Sequence, residues 1–513
     1  MSGSPLSSES VSAAVPDVNA PRVGAGAVSG FAALATGGIA TVITTPVVLH
    51  ALGPARFGLW VALVAAVSFT GLLDFGFSQA VARFSGEHRA RRDSAAVEAF
   101  IMATGAAYLV AFALVLIATV LIGMTLPYFV HVSLADRELV LPGSILVGLA
   151  TALGLWMAFF GSILHAHQRL PLANLMRAGY WLSFAILTVV AALAGWGIVG
   201  LGAAMAASAA LACAAYALMV RRVLPGLRIR RPRAVYLRQA MRYSLFMFLV
   251  SAGAAVVFET DVLVIAIVLG AGAVTAYAIA LRLTRGLTMF LHKVPDVLFP
   301  FYAGMRASGE LARMHENFLL TARLELAGAG MVVLGLGFAG RPLIGLWVGS
   351  SNVVGVGVFT LALILVVCEA VVHPAAVIAA ATGGERRMAA VNNTEAVLNL
   401  ALTIAFVLRF GLIGVVAGTV LAQAVTNLWF LPGWAMRRLA LSPVDYLRAT
   451  VAPSLVPAAC GLVAGLLIES RGLPFVAAAV SVMVFALVYL RTGAGLEERA
   501  WVHGWLPRDR RAA

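Results

Sequence analysis

Charge is what this chain has least of: Asp, Glu, Lys and Arg make up 11% of 513 residues, against 62% hydrophobic residues. A soluble domain carries about a quarter charged residues, so a water-facing surface of ordinary size is excluded. Cysteine is equally thin. Cys213, Cys368 and Cys460 each fall in an apolar stretch without CxxC or metal-ligand spacing, which leaves them as small packing residues and removes a disulfide framework. No GxxxxGK[ST] loop is present, so ATP hydrolysis by this chain is excluded, and no nucleophile turn surrounds any Ser. Strand-like alternation over ten-residue segments is missing, which argues against a transmembrane barrel. The His165-Ala166-His167 triplet has a metal-like spacing but no third ligand nearby in sequence, and no metal site is assigned. Residues 1–25 lack the basic start of a signal peptide and read as a disordered tail.

What the chain has instead is apolar length. Mean hydropathy is +0.97, and stretches of about 20 apolar residues, enough to cross a bilayer, recur from end to end. Fourteen spans are expected, near 26–48, 57–80, 96–122, 139–164, 176–195, 197–220, 243–269, 272–300, 318–340, 353–381, 389–409, 411–434, 446–468 and 474–490. The fold class is therefore an all-α polytopic membrane protein. Basic residues test the count independently. Of 36 Arg and Lys, 28 fall in the even-numbered loops and the two tails, and 5 fall in the odd-numbered loops (Arg56, Arg137, Arg341, Arg409, Arg471). Cytoplasmic loops collect basic residues, so both termini are expected inside. The net charge of +14 is explained by those loops facing anionic headgroups, and nucleic acid is not an expected partner. The longest odd-numbered loop, 127–142, is about 16 residues, too short to hold the catalytic groups of a membrane glycosyltransferase or ligase.

One pattern occurs twice. "LGPARFGLW" (52–60) pairs with "LGAGAVTAY" (269–277), "WGIVG" (196–200) with "FGLIG" (410–414), and "QRLPLAN" (168–174) with "RRMAAVN" (386–392), at offsets of 217, 214 and 218. Six spans per copy is an even number, so both copies enter the membrane from the same side. The expected organisation is a first lobe over 26–220, a basic linker over 221–242, a second lobe over 243–434, an appended hairpin over 446–490 and a basic tail over 491–513.

The blocks at 52–87 ("LGPARFGLW…LLDFGFSQAVARFSGE"), 164–174 ("LHAHQRLPLAN"), 259–283 ("ETDVLVIAIVLGAGAVTAYAIALRL") and 297–300 ("VLFP") resemble the polysaccharide-transporter branch of the multidrug/oligosaccharidyl-lipid/polysaccharide exporter superfamily. That resemblance implies a flippase moving undecaprenyl-pyrophosphate-linked sugar repeat units across the bacterial inner membrane, through two lobes that open alternately. Polysaccharide polymerase and glycosyltransferases would be its neighbours, and a proton or sodium gradient the candidate energy source. Twelve spans are usual in that branch, and the extra hairpin resembles lipid II flippases instead. A multidrug exporter of the same superfamily is the other alternative.

Charged residues inside spans are the candidate functional groups, because each costs about 2.5–3.5 kcal/mol to insert even on the lenient scale. In "ALRLTRGLTMFLHKVPD" (280–296), Arg282, Arg285, His292, Lys293 and Asp296 occupy about 100° of one helix face. Arg282 lies about 15 Å below the "LGAGA" turn. Either it faces a watery cavity, where with Arg285 and Lys293 it would bind pyrophosphate, or it pairs with Glu259 or Asp261 of span 7. Lys293 and Asp296 also suit a cytoplasmic helix end. Asp74 and Asp261 match acidic positions of the resembled family and read as either anchors or gates. Glu259 and Asp261, two apart, cannot share a helix face. Glu369 and His373, four apart, suit a proton-responsive pair or a packing pair. Span 1 has no carboxylate, which removes the first-helix Asp used by many drug exporters of the superfamily.

Overall fold

The computed structural model describes residues 20–130, 132–226 and 232–495, and every regular element among them is helical. In lipid only a helix satisfies its own backbone groups. The first lobe comprises α1 (Ala20–Ser68), α2 (Phe77–Ala90), α3 (Ser94–Phe129), α4 (Leu134–Ala166), α5 (Leu170–Leu193) and α6 (Gly197–Val223). The second comprises α7 (Ala234–Val268), α8 (Ala271–Ser308), α9 (Leu311–Val348), α10 (Val356–Ala381), α11 (Glu385–Phe410), α12 (Leu412–Val425) and α13 (Asn427–Arg438). The chain ends in α14 (Pro443–Thr450), α15 (Ala452–Glu469) and α16 (Pro474–Val488), which pack on α9. Twelve segments are long and apolar enough to span a membrane. The first of them holds two passes, and α8, 38 residues long but more polar, completes fourteen.

The two passes of the first segment part at Gly53, whose φ of 73° and ψ of 165° belong to a region open almost only to glycine. Pro54 follows and starts the second pass where its missing N–H costs nothing. That pass breaks again. A 3₁₀ turn over Phe69–Asp74 leads to Phe75 and Gly76, both left-handed at φ 48° and 74°, before α2 begins. Asp74 holds the break, with Oδ2 accepting from Ser78 Oγ at 2.9 Å and Oδ1 accepting from the Tyr108 hydroxyl of α3.

The repeat seen in sequence is a repeat of helix packing. In the first lobe α1 packs on α5, α2 on α4, α3 on α4, α4 on α6 and α5 on α6; in the second α7 packs on α11, α8 on α10, α9 on α10, α10 on α12 and α13, and α11 on α12. Across the lobes, α1 meets α8 and the second pass with α2 meets α7. Away from these contacts the helices carry exposed apolar stripes. Val110 (61% exposed), Leu114, Ile117 and Leu121 form a stripe on α3 at helical spacing, the sign of lipid as solvent.

Several boundaries differ from expectation. Helix α1 already begins at Ala20, inside the stretch read as tail; residues 1–19 lie outside the described residues. The 221–242 linker is helical at both ends, through Val223 and from Ala234, with 227–231 outside the described residues. Amphipathic helix ends project past the bilayer, where hydropathy no longer marks them. Of the basic tail, Arg491 lies in a short π-helical turn ending at Gly493, and 496–513 lie outside the described residues. Span 12 is broken at Thr426 (φ −118°, ψ −94°), whereas span 13 keeps helical backbone angles at Val451, between α14 and α15.

Candidate functional site

Arg282 sits roughly 16 Å along α8 from Ala271, at the contact between lobes. Its Nη1 donates to Thr45 Oγ1 at 2.9 Å, and its guanidinium lies 5.4 Å from the centre of the Phe57 ring. It thus joins both passes of α1 to α8 without a carboxylate. The expected alternative, an ion pair with Glu259 or Asp261, is not formed. Asp261 is turned into the second lobe instead, 1% exposed, where it accepts from Tyr277 OH (3.0 Å), Thr403 Oγ1 (3.1 Å) and Thr419 Oγ1 (3.0 Å). Asn399 Nδ2 supports the last of these, donating to Thr419 Oγ1 at 2.9 Å. Asp261 therefore fastens α7, α8, α11 and α12 together. Glu259, on the other side of α7 as its spacing requires, has Ser68 and Arg285 as neighbours. Arg285 is the cation whose charge reaches Glu259, Asp261 and Glu369.

The Glu369–His373 pair is a correction. Although four apart on α10, the two side chains take different partners: Glu369 Oε1 accepts from Gln423 Nε2 of α12 at 2.9 Å, and His373 Nε2 bonds Asp296 Oδ1 of α8 at 3.1 Å. Neighbouring helices offered each a better partner than the other. Lys293 is likewise engaged, its Nζ 2.9 Å from Asp296 Oδ2, with both side chains 37% exposed. It belongs to this α8–α10 cluster rather than to the Arg282 contact.

Sequence reasoning missed three groups. Glu325 on α9 and Glu395 on α11 are buried carboxylates, 1% and 5% exposed. The signal was available, since each lies inside an expected span. Glu395 accepts from Asn427 Nδ2 at the break before α13, and Asn427 also donates to Asn392 Oδ1 at 3.0 Å. Thr45, the partner of Arg282, gave no signal because a lone Thr in a span usually bonds its own backbone; it does that too, to Thr41 O at 2.7 Å. His167, outside the spans at the end of α4, places Nδ1 2.8 Å from Ile163 O, and burial pushes its pKa down.

Two broken-helix lobes related by one packing pattern, meeting at α1, α7 and α8, define an all-helical, multi-pass membrane protein with an internal repeat. Residues 26–305 match the family described as "Polysaccharide biosynthesis protein". The chain belongs to that family. No curated protein matches it in sequence. Solved structures share its fold. "Inward-facing conformation of a multidrug resistance MATE family transporter of the MOP superfamily" aligns with TM-score 0.64 at 14% identity, covering 81% of this chain and 98% of that one. "Lipid II flippase MurJ, inward closed conformation" aligns with TM-score 0.63 at 14% identity over 90% of this chain and 97% of that one. A superfamily transporter from Pyrococcus furiosus, titled for the reverse polarity of its binding pocket, aligns with TM-score 0.58 at 14% identity, over 82% and 95%. The titles of these solved structures name transporters and a flippase; what the likeness shows for this chain is their fold, that of a multi-pass membrane protein.

Proposed function

We propose that this transporter flips undecaprenyl-pyrophosphate-linked oligosaccharide repeat units across the bacterial inner membrane for surface polysaccharide synthesis, with both termini in the cytoplasm. The observation that carries the reading is Arg282, a cation roughly 16 Å along α8 at the lobe contact, whose partners are a hydroxyl and an aromatic ring. A guanidinium so held keeps donors for a pyrophosphate, which it can grip bidentately. Arg285 adds a second positive charge one turn further along α8. Alternating access then needs the lobes to rock about the α1–α8 and α2–α7 contacts, exposing these arginines first to one side and then to the other. Glu259 and Asp261 on α7, Asp74 at the span-2 break, and His373 on α10 are the groups whose charge biases that motion under a proton or sodium gradient. Polysaccharide polymerase and glycosyltransferases remain the expected partners.

A second reading, transport of lipid II, is favoured by the hairpin α15–α16, since the MurJ likeness extends over 90% of this chain. Both cargoes share the polyprenyl pyrophosphate and differ in the glycan. Purified protein in liposomes, offered a fluorescent undecaprenyl-pyrophosphate oligosaccharide, lipid II or a cationic dye in parallel, tests the choice. Faster transfer of the oligosaccharide is expected; transfer of lipid II or of the dye alone would replace the reading.

A further inference from the structure

Five side chains of the second lobe form a line of which the reading above uses only His373. Asp296 binds Lys293 through one oxygen and His373 through the other. The His373 ring lies flat against the His292 ring, 3.8 Å between centres and 9° from parallel. His292 Nε2 points to Glu325 Oε1 at 3.6 Å, just beyond hydrogen-bond distance. Neither Glu325 oxygen has a hydrogen-bond partner, nor does His292 Nε2. Side-chain exposure falls steadily along the line, from 37% at Lys293 and Asp296 to 23% at His373, 19% at His292 and 0% at Glu325. The line is wet at one end and dry at the other, and it links α8, α10 and α9. Other ionisable groups face it from the surrounding helices: Glu369 on α10, Glu395 of α11 beyond it, and the buried Tyr446 hydroxyl of α14.

We infer that His292, His373, Asp296 and Glu325 form a binding site for one proton, held on the stacked ring pair or on Glu325, with Asp296 at its half-exposed end and Glu325 at its dry end. The site deepens the gradient-driven reading above and rests on it for its role in transport, though not for its existence. The geometry sets its capacity. Two imidazolium ions stacked this closely repel, so the ring pair holds at most one extra proton. A bare carboxylate at 0% exposure without a donor is strongly penalised, so Glu325 either keeps its own proton or takes one from His292. Lys293 and Asp296 cancel. With the proton absent, the line carries a net −1 on Glu325; with it present, on carboxyl or ring, the line is neutral. Proton transfer from His292 to Glu325 breaks an N–H bond and forms an O–H bond, leaving the imidazole neutral. Movement of that charge changes the attraction that holds α9 against α8 and α10, the helices whose rearrangement an opening second lobe requires.

The test is a titration of the full-length protein in nanodiscs with ¹⁵N-labelled histidine, His292 and His373 being assigned by single His→Asn variants. The two rings are expected to take up no more than one proton between them, with at least one ring staying neutral throughout. Glu325→Gln, which is nearly isosteric, should weaken that proton by about tenfold, one pH unit. Two independently titrating rings, or a titration unchanged by Glu325→Gln, would overturn the site. In liposomes, glycan transfer driven by a pH gradient should be lost in Glu325→Gln; its persistence would also overturn the site. Expected titrations together with no glycan transfer by the wild type would leave the proton site standing and remove the cargo reading instead.

Discussion

Gly58 offers the sharpest perturbation of the lobe contact. A Cβ there would stand 1.7 Å from the Ala271 carbonyl oxygen and 2.6 Å from its carbon, both backbone atoms at the start of α8. Neighbouring Thr275 already donates to Pro54 O at 2.6 Å across the same contact, so little slack remains. Backbone cannot swing aside, and Gly58→Ala must push the second pass and α8 apart by roughly 1.5 Å to restore ordinary packing distances. Overpacking of this kind costs about 1–3 kcal/mol, which against an unchanged open state shifts the closed-to-open ratio by roughly 5- to 150-fold. Thr275 is 0% exposed in the closed contact and serves as the reporter. With Cys213, Cys368 and Cys460 replaced, Thr275→Cys should react slowly with a maleimide in detergent, and at least fivefold faster once Gly58→Ala is added. Equal rates would refute the argument that this contact is tight and that separating the lobes relieves it.

Asp74→Ala strands the Tyr108 hydroxyl and frees Ser78, and should lower stability by about 1–3 kcal/mol; an unchanged thermal midpoint would contradict its anchoring role. Tyr108→Phe, which leaves Asp74 its Ser78 bond, should lose less in the same measurement. For orientation, a cysteine at Arg137 should be labelled by an impermeant thiol reagent in intact cells and one at Arg437 should not; labelling at Arg437 would invert the topology. Because Glu369 is bonded to Gln423 rather than to His373, Glu369→Gln should keep any dependence of export on a pH gradient, and its loss would restore the pairing within α10.

Span count, the double lobe and the family were all legible in the sequence, because each rests on a pattern spread over many residues. Hydropathy recurs fourteen times, and the offsets near 217 reappear as matched helix pairs such as α1–α5 and α7–α11. Partners were not legible. Spacing correctly put Glu259 and Asp261 on different faces, yet it could not reveal that Tyr277, Thr403 and Thr419 converge on Asp261 from three helices. The same limit misled the Glu369–His373 reading, since i,i+4 spacing makes contact available while the facing helices decide whether it is taken. Breaks inside spans were hidden too. The Phe75–Gly76 reversal depends on Asp74 finding Ser78 and Tyr108, and apolar length alone reads straight through it.

The central claim is that the cation at the lobe contact holds the cargo's pyrophosphate, and Arg282 decides it. Transfer of a labelled undecaprenyl-pyrophosphate oligosaccharide should be measured in proteoliposomes carrying equal amounts of wild type, Arg282→Ala, Arg282→Lys and Thr45→Val. The account predicts no transfer by Arg282→Ala, partial transfer by Arg282→Lys, which keeps the charge and loses the planar fork, and near wild-type transfer by Thr45→Val, which loses only the hydroxyl contact. Full activity in Arg282→Ala, or equal loss in Arg282→Ala and Thr45→Val, would make Arg282 a clasp between the lobes and contradict the claim.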